Sequence, residues 1–168
     1  MREFAKWVGN QEDIRTVVEI GVATMINSLD LLEGCDRVIG VDPYKFYPPG
    51  HSYSGDVNNC ESQAKQDIRY KAALERTLCS PRFTILRLTS LEASSLFDFK
   101  VDAVYLDADH SYAHVKQDIE IWRRRCRWIG GHDWGNERQH PGVMQAVNET
   151  FGTGKVTILG EVEWLIET

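Results

Sequence analysis

Long hydrophobic runs are missing from this sequence: no stretch approaches the roughly 20 apolar residues that span a bilayer. The opening, MREFAKWVGNQED, has no apolar core of the kind a secretory signal carries. Both absences set the expectation of a soluble, cytoplasmic protein without a membrane partner. Cysteine is sparse, and Cys35, Cys60, Cys79 and Cys126 form no CxxC pair and no regular framework. Reduced thiols are expected instead of disulfide staples. An excess of positive charge is also absent: 19 Lys and Arg face 25 Asp and Glu, a net charge of -6 that disfavours nucleic acid as a partner. The one basic run, RRRCR at 123–127, falls where a helix is expected to end, and cations there complement the helix dipole. The dinucleotide fingerprint GxGxxG is missing, which removes the best marker of NAD-dependent hydride transfer.

What is present is a globular balance, 42% hydrophobic and 26% charged over 168 residues, which suits one domain spanning 1–168. Strand-like apolar runs recur: TVVEIG (16–21), RVIGVD (37–42), FTILRL (83–88), VDAVYLD (101–107) and WIGGHD (128–133). Near-continuous apolar strands fit a sheet buried on both faces, which means parallel strands with helices between them. The clearest helix lies in 111–126, where Tyr112, Val115, Ile119, Trp122 and Cys126 recur on one face. Another starts at Pro141, a good first-turn residue, and two more are expected over about 24–33 and 60–79. KVTILG (155–160) and VEWLIE (162–167) lie too close for a parallel crossover, so they must form an antiparallel hairpin. The expected fold is α/β, a doubly wound, mostly parallel sheet with a C-terminal antiparallel hairpin.

In such sheets the ligand lies beyond the carboxyl ends of the strands. Glu19 and Gly21 end the first strand, where a glycine lets backbone approach a ligand closely. Asp42 stands 21 residues after Gly21, well placed for ribose hydroxyls. Taken alone, Gly21 also reads as a structural turn and Asp42 as an Asp-Pro turn. The sharpest cluster is VYLDADHSY, which packs Asp107, Asp109 and His110 at the mouth of the sheet, with His132 and Asp133 at the next strand end. A helix N-cap explains one of these groups, Asp109 or Ser111, but not three in a row. Asp107 and Asp133 could share a hard cation such as Mg²⁺. His110, with an ordinary pKa near 6.5, could act as a general base.

These passages carry a family likeness. VVEIGVAT, RVIGVDPY, VDAVYLDADHSYAHVKQDIEIW, and GGHDW followed by HPGVMQAVNETFG make the chain resemble class I S-adenosylmethionine-dependent methyltransferases. The resemblance is strongest to the small bacterial group related to catechol and sugar O-methyltransferases. It implies that Glu19 and Gly21 pass the methionine part of the cofactor, that Asp42 takes the ribose hydroxyls, and that Pro43 and Tyr44 lie beside adenine. Thr89 and Ser90 stand near the adenine amino group, where the family usually has an acid. Asp107 and Asp133 match two metal carboxylates of the metal-dependent members, and Asp109 and His110 match the positions that supply a general base. Met25 replaces the family's second glycine, so its side chain is expected either to crowd the cofactor or to mark a different loop path. Trp134 stands where catechol-type enzymes have an asparagine ligand.

The resemblance implies methyl transfer from S-adenosylmethionine to a small-molecule hydroxyl of the sugar, catechol or natural-product type. The N-terminal helices that commonly cap the substrate pocket are not evident, which leaves a homodimer covering the cleft as an expectation. Two readings compete with this one: a non-catalytic cofactor-binding domain, and another nucleotide-binding α/β enzyme.

Overall fold

The computed structural model describes residues 1–52, 62–78 and 80–168, so Cys60 and Cys79 lie outside the described residues. Five strands run parallel: β1 (Thr16–Ile20), β2 (Arg37–Val41), β3 (Phe83–Leu86), β4 (Val101–Leu106) and β5 (Cys126–Gly131). The last two, β6 (Thr157–Leu159) and β7 (Glu163–Glu167), form the expected hairpin. β7 inserts antiparallel beside β5, which gives the order β3-β2-β1-β4-β5-β7-β6. The order reverses between β1 and β4, and a ligand crevice opens at that point.

Alternation along the strands decides which layer each side chain joins, because successive residues point to opposite faces. Val18, Ile20, Val104 and Leu106 face the layer of α4 (Ser90–Ser94), α5 (Tyr112–Trp122) and α6 (Pro141–Phe151). Val17, Ala103 and Tyr105 face the layer of α1 (Glu3–Gly9), α2 (Ile26–Gly34) and α3 (Gln63–Thr77). α5 docks through Val115, Ile119 and Trp122, all buried, at about 1.5–3 kcal/mol for each aliphatic side chain. Two short elements were not evident in the sequence. α1 buries Phe4, Ala5 and Val8 in a single turn and a half, too short for a clear period. α4 is one turn, held by a capping box in which Thr89 and Glu92 each accept from the other's backbone N–H.

Element ends differ from the sequence expectation at one place that matters. α5 stops at Trp122, and Cys126 opens β5 instead of closing the helix. The basic run therefore spans a turn and the start of a strand. Arg123 pairs with Glu120, and Arg127 pairs with Asp13 and Glu167. At the other end of α5, a Cβ on Gly142 would lie 2.4 Å from the Tyr112 nitrogen. Glycine there lets the start of α6 sit against the start of α5, which brings His140 to His110.

Candidate active site

The crevice beyond β1, β2 and β4 is lined by Gly21, Asp42, Pro43, Tyr44, Thr89, Ser90, Asp107 and Asp109. Its empty space, mouth included, is about 810 Å³, enough for a nucleoside-sized ligand. Gly21 has a φ of 90°, and a Cβ on it would lie 2.2 Å from the Asp107 carbonyl oxygen. No other residue lets the β1 turn cross so close to the end of β4. Asp42 is held by backbone: Oδ2 accepts from the N–H of Val22 and Ala23 at 3.1 and 3.0 Å, and Oδ1 from that of Tyr44 at 2.8 Å. This carboxylate fixes the β1 loop as well as facing the cleft. Burial pushes its pKa up, against those three donors. Tyr44 is almost wholly buried, and its hydroxyl donates to the Ala23 carbonyl at 3.0 Å.

Two expectations for this half change. Glu19 lies beneath the loop and does not line the cleft. It accepts from Asn27 at 2.9 Å and from the Ser28 hydroxyl, anchoring the first turn of α2. Burial raises its carboxyl to about 7, with those two donors opposing. Met25 does not crowd the cleft either: it is 1% exposed and packs among Leu31, Tyr44 and Ala73 in the core. Its φ of 64° is the left-handed conformation that glycine adopts at no steric cost, which is what a glycine at this position would serve.

The second half, made of the β4 end of the crevice and a smaller pocket adjoining it through Ala108, Asp109 and Asp118, gathers side chains from the ends of β4 and β5 and the start of α6. His110 Nε2 stands 3.0 Å from Asp133 Oδ2 and 3.4 Å from Asp107 Oδ1. His132 Nδ1 lies 3.0 Å from Asp133 Oδ2, and the His140 ring lies 4.4 Å from that of His110. Burial alone would lower the His110 pKa, but Asp107 and Asp133 outweigh it and raise it to about 9. Asp133 is also desolvated, yet His110 and His132 beside it, with a hydrogen bond from Asn136, hold its carboxyl well below the usual range. Asp109 is engaged elsewhere: Oδ1 accepts from the Ser111 N–H at 2.8 Å and pairs with His114 Nδ1 at 3.2 Å. It anchors the start of α5 while still lining the crevice.

Sequence reasoning missed three participants. Arg2 Nη1 lies 2.7 Å from Asp107 Oδ2, and no local pattern announces it. His140 enters only through the α5–α6 contact. Asp118 lines the cleft floor, 8% exposed, with burial raising its carboxyl to about 7 against a hydrogen bond with Ser90. A signal for it existed: an aspartate three residues after Val115 and one before Ile119, on the apolar face of α5.

Among the described residues, two groups of metal-ligating atoms converge within 4.8 Å, Asp107 with His132 and Asp133, and His110 with Asp133 and His140. The expected Mg²⁺ pair is nevertheless a poor fit. Asp107 presents one oxygen to Arg2 and the other to His110, and the third member of its group with Asp133 is the imidazole of His132, whereas Mg²⁺ takes oxygen ligands. Trp134 adds no oxygen ligand from its side chain.

Residues 18–134 match a family model described as a methyltransferase domain. That is most of the chain, and the protein belongs to this family of class I S-adenosylmethionine-dependent methyltransferases. Solved structures share the fold at low identity. The SAH-bound methyltransferase PaMTH1 of Podospora anserina has a TM-score of 0.64 at 9% identity, covering 98% of this chain and 77% of its own. SMU.1697c of Streptococcus mutans, in complex with SAH, has a TM-score of 0.63 at 10% identity, covering 98% and 94%. The N-methyltransferase NodS of Bradyrhizobium japonicum has a TM-score of 0.59 at 14% identity, covering 97% and 90%. No curated protein sequence matches the chain. Among the described residues no helix is long and apolar enough to cross a membrane.

Proposed function

We propose that this methyltransferase acts on a hydroxyl of a small-molecule acceptor, with His110 taking the hydroxyl proton. The observation that supports the reading is the position of His110, whose Nε2 faces Asp107 and Asp133 in a smaller pocket that shares Ala108, Asp109 and Asp118 with the crevice. S-adenosylmethionine, when bound, supplies an electrophilic sulfonium methyl group. Gly21 leaves room for the methionine part beside β4, Asp42 meets the ribose side of the crevice, and Pro43, Tyr44, Thr89 and Ser90 border the adenine side. Asp107 and Asp133, within 3.4 and 3.0 Å of Nε2, favour a proton on that nitrogen electrostatically, which leaves Nδ1 to accept one. The task left to the chain is orientation and proton removal. A net charge of -6 supports a small acceptor over a nucleic acid.

The test is methyl transfer from methyl-labelled S-adenosylmethionine to a panel of catechols, sugars and small acids, beside calorimetric titration with the cofactor, SAH and NAD. Labelled ether product and binding of the first two only are expected. Cofactor binding without transfer to any hydroxyl, but with transfer to amines, would overturn the oxygen acceptor.

A further inference from the structure

Arg2 precedes α1, yet its side chain reaches the end of β4. Its backbone N–H donates to Asp30 Oδ2 at 3.2 Å, and the N–H of Phe4 donates to Glu163 Oε2 at 3.0 Å, so this stretch is fixed against the sheet. Nη1 donates to the Tyr105 hydroxyl at 2.8 Å and meets Asp107 Oδ2 at 2.7 Å. The Tyr105 hydroxyl in turn donates to Glu163, so the guanidinium lies between two anchored acids. Asp107 is thus flanked by two organic cations, Arg2 on Oδ2 and His110 on Oδ1.

A divalent ion on Asp107 would sit about 2.0–2.6 Å from one of those oxygens, beside a guanidinium or imidazolium of like charge. His110 must be neutral before it can accept a proton as a base, whereas a guanidinium stays protonated throughout. Only Arg2 offers Asp107 a cation that lasts through proton transfer.

We propose that Arg2 is a positioning residue, the permanent counter-cation of Asp107, and that it keeps divalent cations off the Asp107–Asp133 pair. The proposal rests on the reading of His110 and Asp107 as the reacting end of the crevice. Its test reads cation affinity instead of methyl transfer, so the two can fail separately.

Calorimetric titration with MnCl₂ compares wild type, Arg2→Gln and Arg2→Lys. Mn²⁺ is the probe because it accepts both carboxylate and imidazole ligands. Wild type and Arg2→Lys should bind no tighter than millimolar, and Arg2→Gln about tenfold tighter or more, a coupling of ordinary size. Adding Asp107→Asn to Arg2→Gln should abolish the gain. Sub-millimolar binding by wild type overturns the proposal whatever the variants do, and so does a folded Arg2→Gln protein with unchanged affinity. Should Arg2→Gln fail to fold, Arg2→Met keeps the aliphatic stem and reads the same difference.

Discussion

The two halves of the crevice hold their carboxylates in different ways. On the β1–β2 side, Asp42 is gripped by three backbone N–H groups of its own and the neighbouring loop. On the β4–β5 side, Asp107 and Asp133 are gripped by side chains, Arg2, His110, His132 and Asn136, drawn from three separate stretches. Backbone donors cannot titrate and move only with the loop. Side-chain partners can change charge, rotate or be replaced singly. The first arrangement suits a part that must hold a constant ligand, and the second suits a part that must move a proton.

Replacing His110 should separate the halves most sharply. His110→Ala is expected to lower turnover by ~10²–10⁴-fold, the usual contribution of a general base, with cofactor affinity unchanged by calorimetry. Wild-type turnover should rise about tenfold per pH unit and level off near 9, because only neutral His110 accepts a proton and its pKa is raised to about 9. An equal loss of cofactor affinity in His110→Ala would erase the distinction. Asp42→Ala strands three N–H groups and should cost about 2–4 kcal/mol of stability in urea unfolding, together with weaker cofactor binding. Full stability in that variant would show that the backbone grip matters little.

Further effects refine the picture around the crevice. Met25→Gly relieves a left-handed residue but leaves a cavity in the core. A net loss of about 1–3 kcal/mol is expected, with cofactor affinity unmoved. Tighter binding would mean that the side chain reaches the crevice after all. Asp118→Asn should stabilise the protein by up to about 4 kcal/mol at pH 8 and not at all near pH 3. The sign follows from a folded carboxyl raised to about 7. Below its unfolded value near 3.9 the acid is neutral in both states, and the cost of charging a buried group grows as pH rises through that window. Equal unfolding midpoints for wild type and variant at both pH values would show that Asp118 carries no such cost.

The amino-acid order by itself determined the β/α rhythm, the closing hairpin, the glycine at the first turn, and the clustering of Asp107, Asp109 and His110. Those features are local: strand and helix periods, and spacings within a few residues, reflect rules that operate along the chain. It also marked Asp133, because a parallel sheet places successive strand ends side by side. Only the tertiary structure decided that Asp109 serves the start of α5, that Glu19 and Met25 lie under the loop, and that Thr89 is engaged in a helix cap. The same holds for Arg2 on Asp107 and His140 on His110. These partners are far apart in sequence and meet because α1 packs on the sheet and α6 on α5. The charge His110 carries depends on those meetings, since burial lowers its pKa and the neighbouring carboxylates outweigh that and raise it to about 9.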